Sequence, residues 1–169
     1  FVGCGGSLTG FWPGKYFLDC EAKKLAVGYV TSNEFVHATP NALGKNSVVI
    51  LASQQGNTAE TVEAARIARQ KGAATIGLVY TPGTPLCEHS DYTIEYCWAR
   101  YPETVDPTQQ KAAYSLWLAL EVLAQTEGYA HYDEMVSAFA SFESVVRGAQ
   151  QQVQADARHF AEAWKTEKV

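Results

Sequence analysis

VILASQQGNTAETVEAA, residues 49–65, carries the transition that decides the fold. An apolar, β-branched run ends at Ala52 and six polar residues follow, Ser53-Gln54-Gln55-Gly56-Asn57-Thr58. A helical pattern then begins, with Val62, Ala65, Ile67 and Ala68 at helical spacing and Lys71-Gly72 closing it with a cation and a C-terminal glycine. A bare turn needs two or three polar residues, so six raise the question of what the excess is for.

The same alternation recurs on both sides of this stretch. Apolar runs at Phe1–Cys4, Leu25–Thr31, Val48–Ser53, Thr75–Tyr80 and Tyr92–Tyr96 read as strands. Helical patterns lie between them: Leu8 to Lys24, with Pro13 and Gly14 weakening its first turns, Glu34 to Ala38, Thr58 to Lys71 and Pro85 to His89. Strand–helix alternation predicts an α/β fold: a five-stranded parallel sheet sandwiched between helices and wound right-handedly. Beyond residue 97 the pattern changes. A loop is expected from Ala99 to Pro107, then a helix from Lys111 to Gln125 with Leu116, Leu120 and Leu123 as its apolar core. TEGYAHY breaks it, and residues 133–165 are helical again, as two helices or one connecting helix.

Composition narrows the function classes. The chain has 169 residues, 47% of them hydrophobic, and a net charge of −5. No Lys/Arg cluster exceeds a pair, so no nucleic-acid partner is expected. No run approaches the ~18 apolar residues of a membrane span, and no signal peptide is visible, so no membrane association is expected. Cys4, Cys20, Cys87 and Cys97 form no C-x-x-C, and read as reduced thiols of a cytoplasmic protein. The chain opens FVGCGGS inside a strand and closes TEKV, so a fragment of something longer is expected.

Ligands of an open parallel sheet sit beyond the carboxyl ends of its strands, where the winding reverses. Two segments fit that place: Cys4-Gly5-Gly6-Ser7, and Ser53 to Thr58. Both enter helices, whose free N–H groups and partial positive end favour an anion by ~0.3–1 kcal/mol per charge. Gly5, Gly6 and Gly56 let backbone approach a ligand, Ser7, Ser53 and Thr58 offer hydroxyls, and Gln55 an amide. Neither loop holds a Lys or Arg, so binding is expected through dipoles and hydroxyls. The alternative is that Ser7 and Thr58 only cap their helices. A dinucleotide fingerprint fails, because Leu8 stands where its third glycine belongs.

A first strand ending in C-G-G-S and a later one ending in S-Q-x-G-x-T, on this frame, resemble the sugar isomerase (SIS) domain across Phe1 to Tyr96. Asn33-Glu34-Phe35, IARQKGA (67–73) and TEGYAHYDE (126–134) are similar to bacterial fructosamine 6-phosphate deglycases over nearly the whole chain. The resemblance implies flavodoxin-like winding and a phosphosugar site at Ser7, Ser53, Gln54, Gln55 and Thr58; Gln55 stands where the family has serine. It also implies a SIS domain over residues 1–126 and a helical linker over 127–169, leading to a second SIS domain of the same chain, with homodimerisation and no cofactor.

The activity so implied is cleavage of a fructosamine 6-phosphate to glucose 6-phosphate and an amine or amino acid. Its glutamate base and assisting histidine are implied to lie in the second domain, so no catalytic residue is expected here. The resemblance implies Lys111 as a sugar contact, and Glu34 is retained as a further candidate; His37, His89, His131 and His159 read as solvated. Trp12, Trp117, Trp164 and Tyr114 read as core or interface, and no metal-ligand set is visible. The alternatives are an aldose–ketose isomerase, or a non-catalytic sugar-phosphate sensor, since SIS domains also serve in regulators.

Overall fold

A computed structural model describes residues 1–96 and 107–166; for 107–109 it describes the backbone alone. The chain divides into two compact units, Phe1–Gly128 and Tyr129–Val169.

In the first unit five strands form one parallel sheet: β1 (Val2–Gly3), β2 (Val30–Thr31), β3 (Val48–Ala52), β4 (Ala74–Val79) and β5 (Tyr92–Glu95), in the order β2-β1-β3-β4-β5. This is the expected α/β frame, and its winding reverses between β1 and β3. The central strand β3 shows why the sheet is covered on both faces. Val49 and Leu51 point into one buried cluster with Val2, Phe35, Ala64, Ala65, Ala68 and Leu86. Ile50 and Ala52 point into the other, with Phe11, Leu78 and Tyr96. A strand buried on both sides reads as continuous apolar sequence, which VVILA is.

The first face is covered by α3 (Ser32–His37), α4 (Ala59–Gln70) and α5 (Pro85–His89); α1 (Gly6–Thr9), α2 (Trp12–Glu21) and α6 (Pro107–Glu127) complete the unit. α4 has Thr58 as N-cap, Lys71 as C-cap, and Gly72 with φ 83° just beyond. α2 and α6 pack closely at Gly14. A Cβ there would lie 2.4 Å from the Ser115 carbonyl oxygen, and the Gly14 N–H donates to the Ser115 hydroxyl at 3.3 Å. Glu127, at the end of α6, accepts the N–H groups of Lys23, Lys24 and Leu25 at 2.8–3.0 Å and so orders the exit from α2.

Several expected boundaries are corrected. The expected strand Leu25–Thr31 contracts to Val30–Thr31, because its neighbour β1 offers only two residues for pairing and the Leu25 N–H is taken by Glu127. The expected helix Leu8–Lys24 is two helices. Pro13 sits in the first turn of α2, where its missing N–H has no intrahelical role. Ser7 is not an N-cap: Gly5, at φ 51°, holds that position and Ser7 lies inside α1. Trp12 and Trp164 are 54% and 58% exposed and do not belong to the core. The expected loop Ala99–Pro107 and Cys97 lie outside the described residues, except that α6 begins at Pro107.

The second unit is one helix, α7 (Tyr132–Trp164), after a short turn; 33 residues at 1.5 Å each give about 50 Å. None of its residues is buried, and Phe142, Val145, Val153 and Phe160 are exposed. No helix among the described residues is long and apolar enough to cross a membrane.

Candidate functional site

Because β1 and β3 are hydrogen-bonded neighbours, with Gly3 in register with Ala52, the segments that follow them leave the sheet side by side. That places the 4–7 loop and the 53–58 loop together at the carboxyl edge, at the point where the winding reverses. The Ser53 hydroxyl is buried and hydrogen-bonds Thr58 Oγ1 at 3.0 Å. Gln54 and Gln55 are exposed, and Ser7 is half-buried.

The loop of residues 53–58 is strapped down from behind. Ser53 N–H donates to Leu78 O at 3.2 Å, Tyr80 N–H to Gln54 O at 2.9 Å, and Leu86 N–H to Gly56 O at 2.9 Å. Among the described residues, the N–H groups of Thr58, Ala59 and Glu60 meet no acceptor, so the start of α4 presents donors. Thr58 makes no side-chain cap; its hydroxyl is turned to Ser53 instead. Capping alone therefore does not account for the loop.

Gly56 has a different reason from the one expected. It is buried at φ 65°, and a Cβ there would lie 1.9 Å from Thr84 Oγ1 and 2.5 Å from Thr84 Cβ. The residue is glycine because Thr84 occupies the space, so it does not clear a ligand's approach. Gly5 and Gly6, by contrast, are exposed and face open space.

The structure adds a cation that the loops lack. Lys111, one turn into α6, is only 2% exposed, and its Nζ donates to Ser7 Oγ at 3.3 Å. Ser115, one turn further on the same face of α6, is the residue held against Gly14, so close α2–α6 packing positions Lys111. Glu34 lies exposed in the first turn of α3, after β2, and its N–H is capped by Thr31 Oγ1 at 3.1 Å.

Three supporting groups were not visible as such in the sequence. Ser32 and Thr61 are fully buried and share a hydrogen bond of 2.8 Å; Thr61 also lies 4.0 Å from Cys4 Sγ, tying α3, α4 and the first loop together. Tyr29 donates its hydroxyl to Leu8 O at 2.8 Å and so fixes α1, and burial raises its phenol pKa. Tyr96, at the carboxyl end of β5, is fully buried, and burial pushes its phenol up to about 12. The only sequence signal for Thr61 was the second threonine of T-A-E-T. Among the described residues no cluster of three His, Cys, Asp or Glu side chains could hold a metal ion.

Comparison with known proteins bears on the fold and the family. The SIS domain family model matches residues 15–125. Fructosamine deglycase FrlB of Bacillus subtilis is 33% identical over 169 residues, covering 100% of this chain and 51% of that protein. The glutamine–fructose-6-phosphate aminotransferase of Thermotoga maritima is 34% identical over 93 residues, covering 55% of this chain and 15% of that one. The crystal structure of a candidate phosphosugar isomerase from Salmonella typhimurium LT2 superposes with a TM-score of 0.92 at 84% identity, covering 99% of this chain and 50% of that one. The chain thus spans about half the length of these fuller matches.

Proposed function

The chain belongs to the SIS domain family, and from that premise we propose that it is the phosphosugar-binding half of a fructosamine 6-phosphate deglycase. The observation that carries this reading is the pairing of Ser7 with Lys111 and of Ser53 with Thr58 on two adjacent strand ends. Each pair is a set of donors already held within hydrogen-bonding distance. Phosphate oxygens seated at Ser53 and Thr58 accept the hydroxyl proton that the Ser53–Thr58 bond leaves free and the N–H groups that open α4. Lys111 supplies the positive charge, and being buried it acts at a lower effective dielectric than a surface lysine. Gln54, Gln55, Gly5 and Gly6 line the approach, with Glu34 at its margin as a candidate sugar contact.

These residues bind and orient; none is assigned a proton-transfer role. The glutamate and histidine that act at the sugar carbons are proposed to come from a second SIS domain of the same polypeptide, in a cytoplasmic homodimer that needs no cofactor. The likeness to FrlB along the whole chain supports the deglycase over its alternatives. The second reading, an aldose–ketose isomerase using the same phosphate site, is favoured by the likeness to the Salmonella protein.

The test is calorimetric titration with glucose 6-phosphate and with glucose. Saturable binding of the phosphate alone, weakened at least about tenfold in Ser53→Ala and Thr58→Ala, is expected. Equal binding of both sugars, or variants that bind as well as the parent, would sink the reading.

A further inference from the structure

A second concavity lies at the other end of α4. It is an open surface concavity of about 320 Å³, lined by Arg66, Arg69, Gln70 and His89. α4 runs from the 53–58 loop at the carboxyl edge back to the amino edge of the sheet, so Arg66, Arg69 and Gln70 stand roughly 12–18 Å along the helix from Thr58.

The arginines are arranged, not merely present. Arg66 donates from Nε to Glu63 at 2.8 Å and from Nη2 to the other carboxylate oxygen. Arg69 uses its Nε toward Asp91 Oδ1 at 3.0 Å, and Asp91 is itself fixed by the N–H and hydroxyl of Thr75 at 2.9 and 2.8 Å. Each carboxylate takes one edge of a guanidinium and leaves the rest of its five-donor fork unspent. Among the described residues, the Arg66 Nη1 and Arg69 Nη groups, the Gln70 amide and the His89 ring meet no acceptor. Neither carboxylate lines the cavity. Two guanidiniums that keep donors beyond those their carboxylates take, lining one concavity with an amide and an imidazole, suit a tetrahedral oxyanion.

We propose that this cavity is a second oxyanion site, taking a phosphate-class anion separately from the sugar-phosphate loop. Glu63 and Asp91 offset the arginine charge, so binding rests on convergent donors and is weaker than at a site with unpaired cations.

The experiment follows the Arg Nε–H and His89 ring resonances of the isotopically labelled 169-residue chain during titration with inorganic phosphate. Ser53→Ala is used as background, to weaken the first site. Saturable shifts at Arg66, Arg69 and His89 are expected, with the apparent Kd raised at least about tenfold by Arg69→Gln. AMP, titrated in a parallel arm, separates a phosphomonoester from free phosphate: tighter AMP binding assigns the former, equal or weaker binding the latter. Linear drifts that chloride reproduces at matched ionic strength overturn the proposal, as does saturation unaffected by both Arg69→Gln and Arg66→Gln. Glucose 6-phosphate binding to Arg69→Gln with Ser53 intact reads the first site separately, so the two readings fail independently.

Discussion

Replacing Gly56 by alanine separates two penalties that the structure superimposes. The first is backbone: φ is 65°, where an L-residue costs about 1–2 kcal/mol. The second is steric. The new Cβ would stand 1.9 Å from Thr84 Oγ1 and 2.5 Å from Thr84 Cβ. Thr84 cannot simply swing aside, being only 9% exposed, the N-cap of α5, and hydrogen-bonded to Cys87 Sγ at 3.2 Å. Overpacking of this kind costs about 1–3 kcal/mol, so Gly56→Ala should lower stability by about 2–5 kcal/mol. Thr84→Gly removes every side-chain atom that the methyl would meet, and the double variant should recover the steric part while keeping the backbone part. A double-mutant cycle read by urea denaturation with far-UV circular dichroism should therefore give a favourable coupling of about 1–3 kcal/mol. In the single variant the displaced loop should also bind glucose 6-phosphate roughly tenfold more weakly. Additive single effects, or a Gly56→Ala protein within about 0.5 kcal/mol of the parent, would refute the packing argument.

Other perturbations follow from the same contacts. Lys111→Met keeps a long buried chain but removes the charge; binding of glucose 6-phosphate should fall at least about tenfold, and unchanged affinity in a folded variant would remove Lys111 from the site. Gly14→Ala places a methyl 2.4 Å from Ser115 O and should cost about 1–3 kcal/mol. It should also weaken phosphate binding by shifting α6, so lost stability with intact binding would break the proposed link from Gly14 through Ser115 to Lys111. The Thr75 hydroxyl, then its N–H and the Arg69 charge, hold the Asp91 carboxyl below its usual value against the opposing effect of burial. Its contribution to stability is thus present above about pH 4 and lost as pH falls through the lower folded value. Asp91→Asn should flatten the acid limb of the stability–pH curve, measured by thermal unfolding; an unaltered limb would contradict the assignment.

The sheet was legible because VVILA, ATIGLV and the T-A-E-T helix each state their own periodicity within a few residues. Edge strand β2 was misjudged for a non-local reason: its length is limited by a two-residue neighbour and by a carboxylate from residue 127. The two loops were found because polar and glycine residues at strand ends have few other uses. Lys111 could be named from the resemblance alone, since no local pattern says that a lysine at the start of α6 reaches back to Ser7. Gly56 was located but misexplained, because Thr84 is brought against it only by β4 and α5. Ser32 and Thr61 are ordinary hydroxyl residues in sequence, and only their burial marks them.

The Ser7–Lys111 contact joins residues 104 positions apart. A contact of such separation must offset the entropy of closing the intervening chain. The packing of α6 against α2 holds Lys111 at Ser7, and a ligand held by both ties the beginning of the fold to its end. Occupancy should suppress the opening of α6 more than that of β3 or β4, and amide hydrogen exchange along 110–125 should slow with sugar phosphate even where no amide touches it.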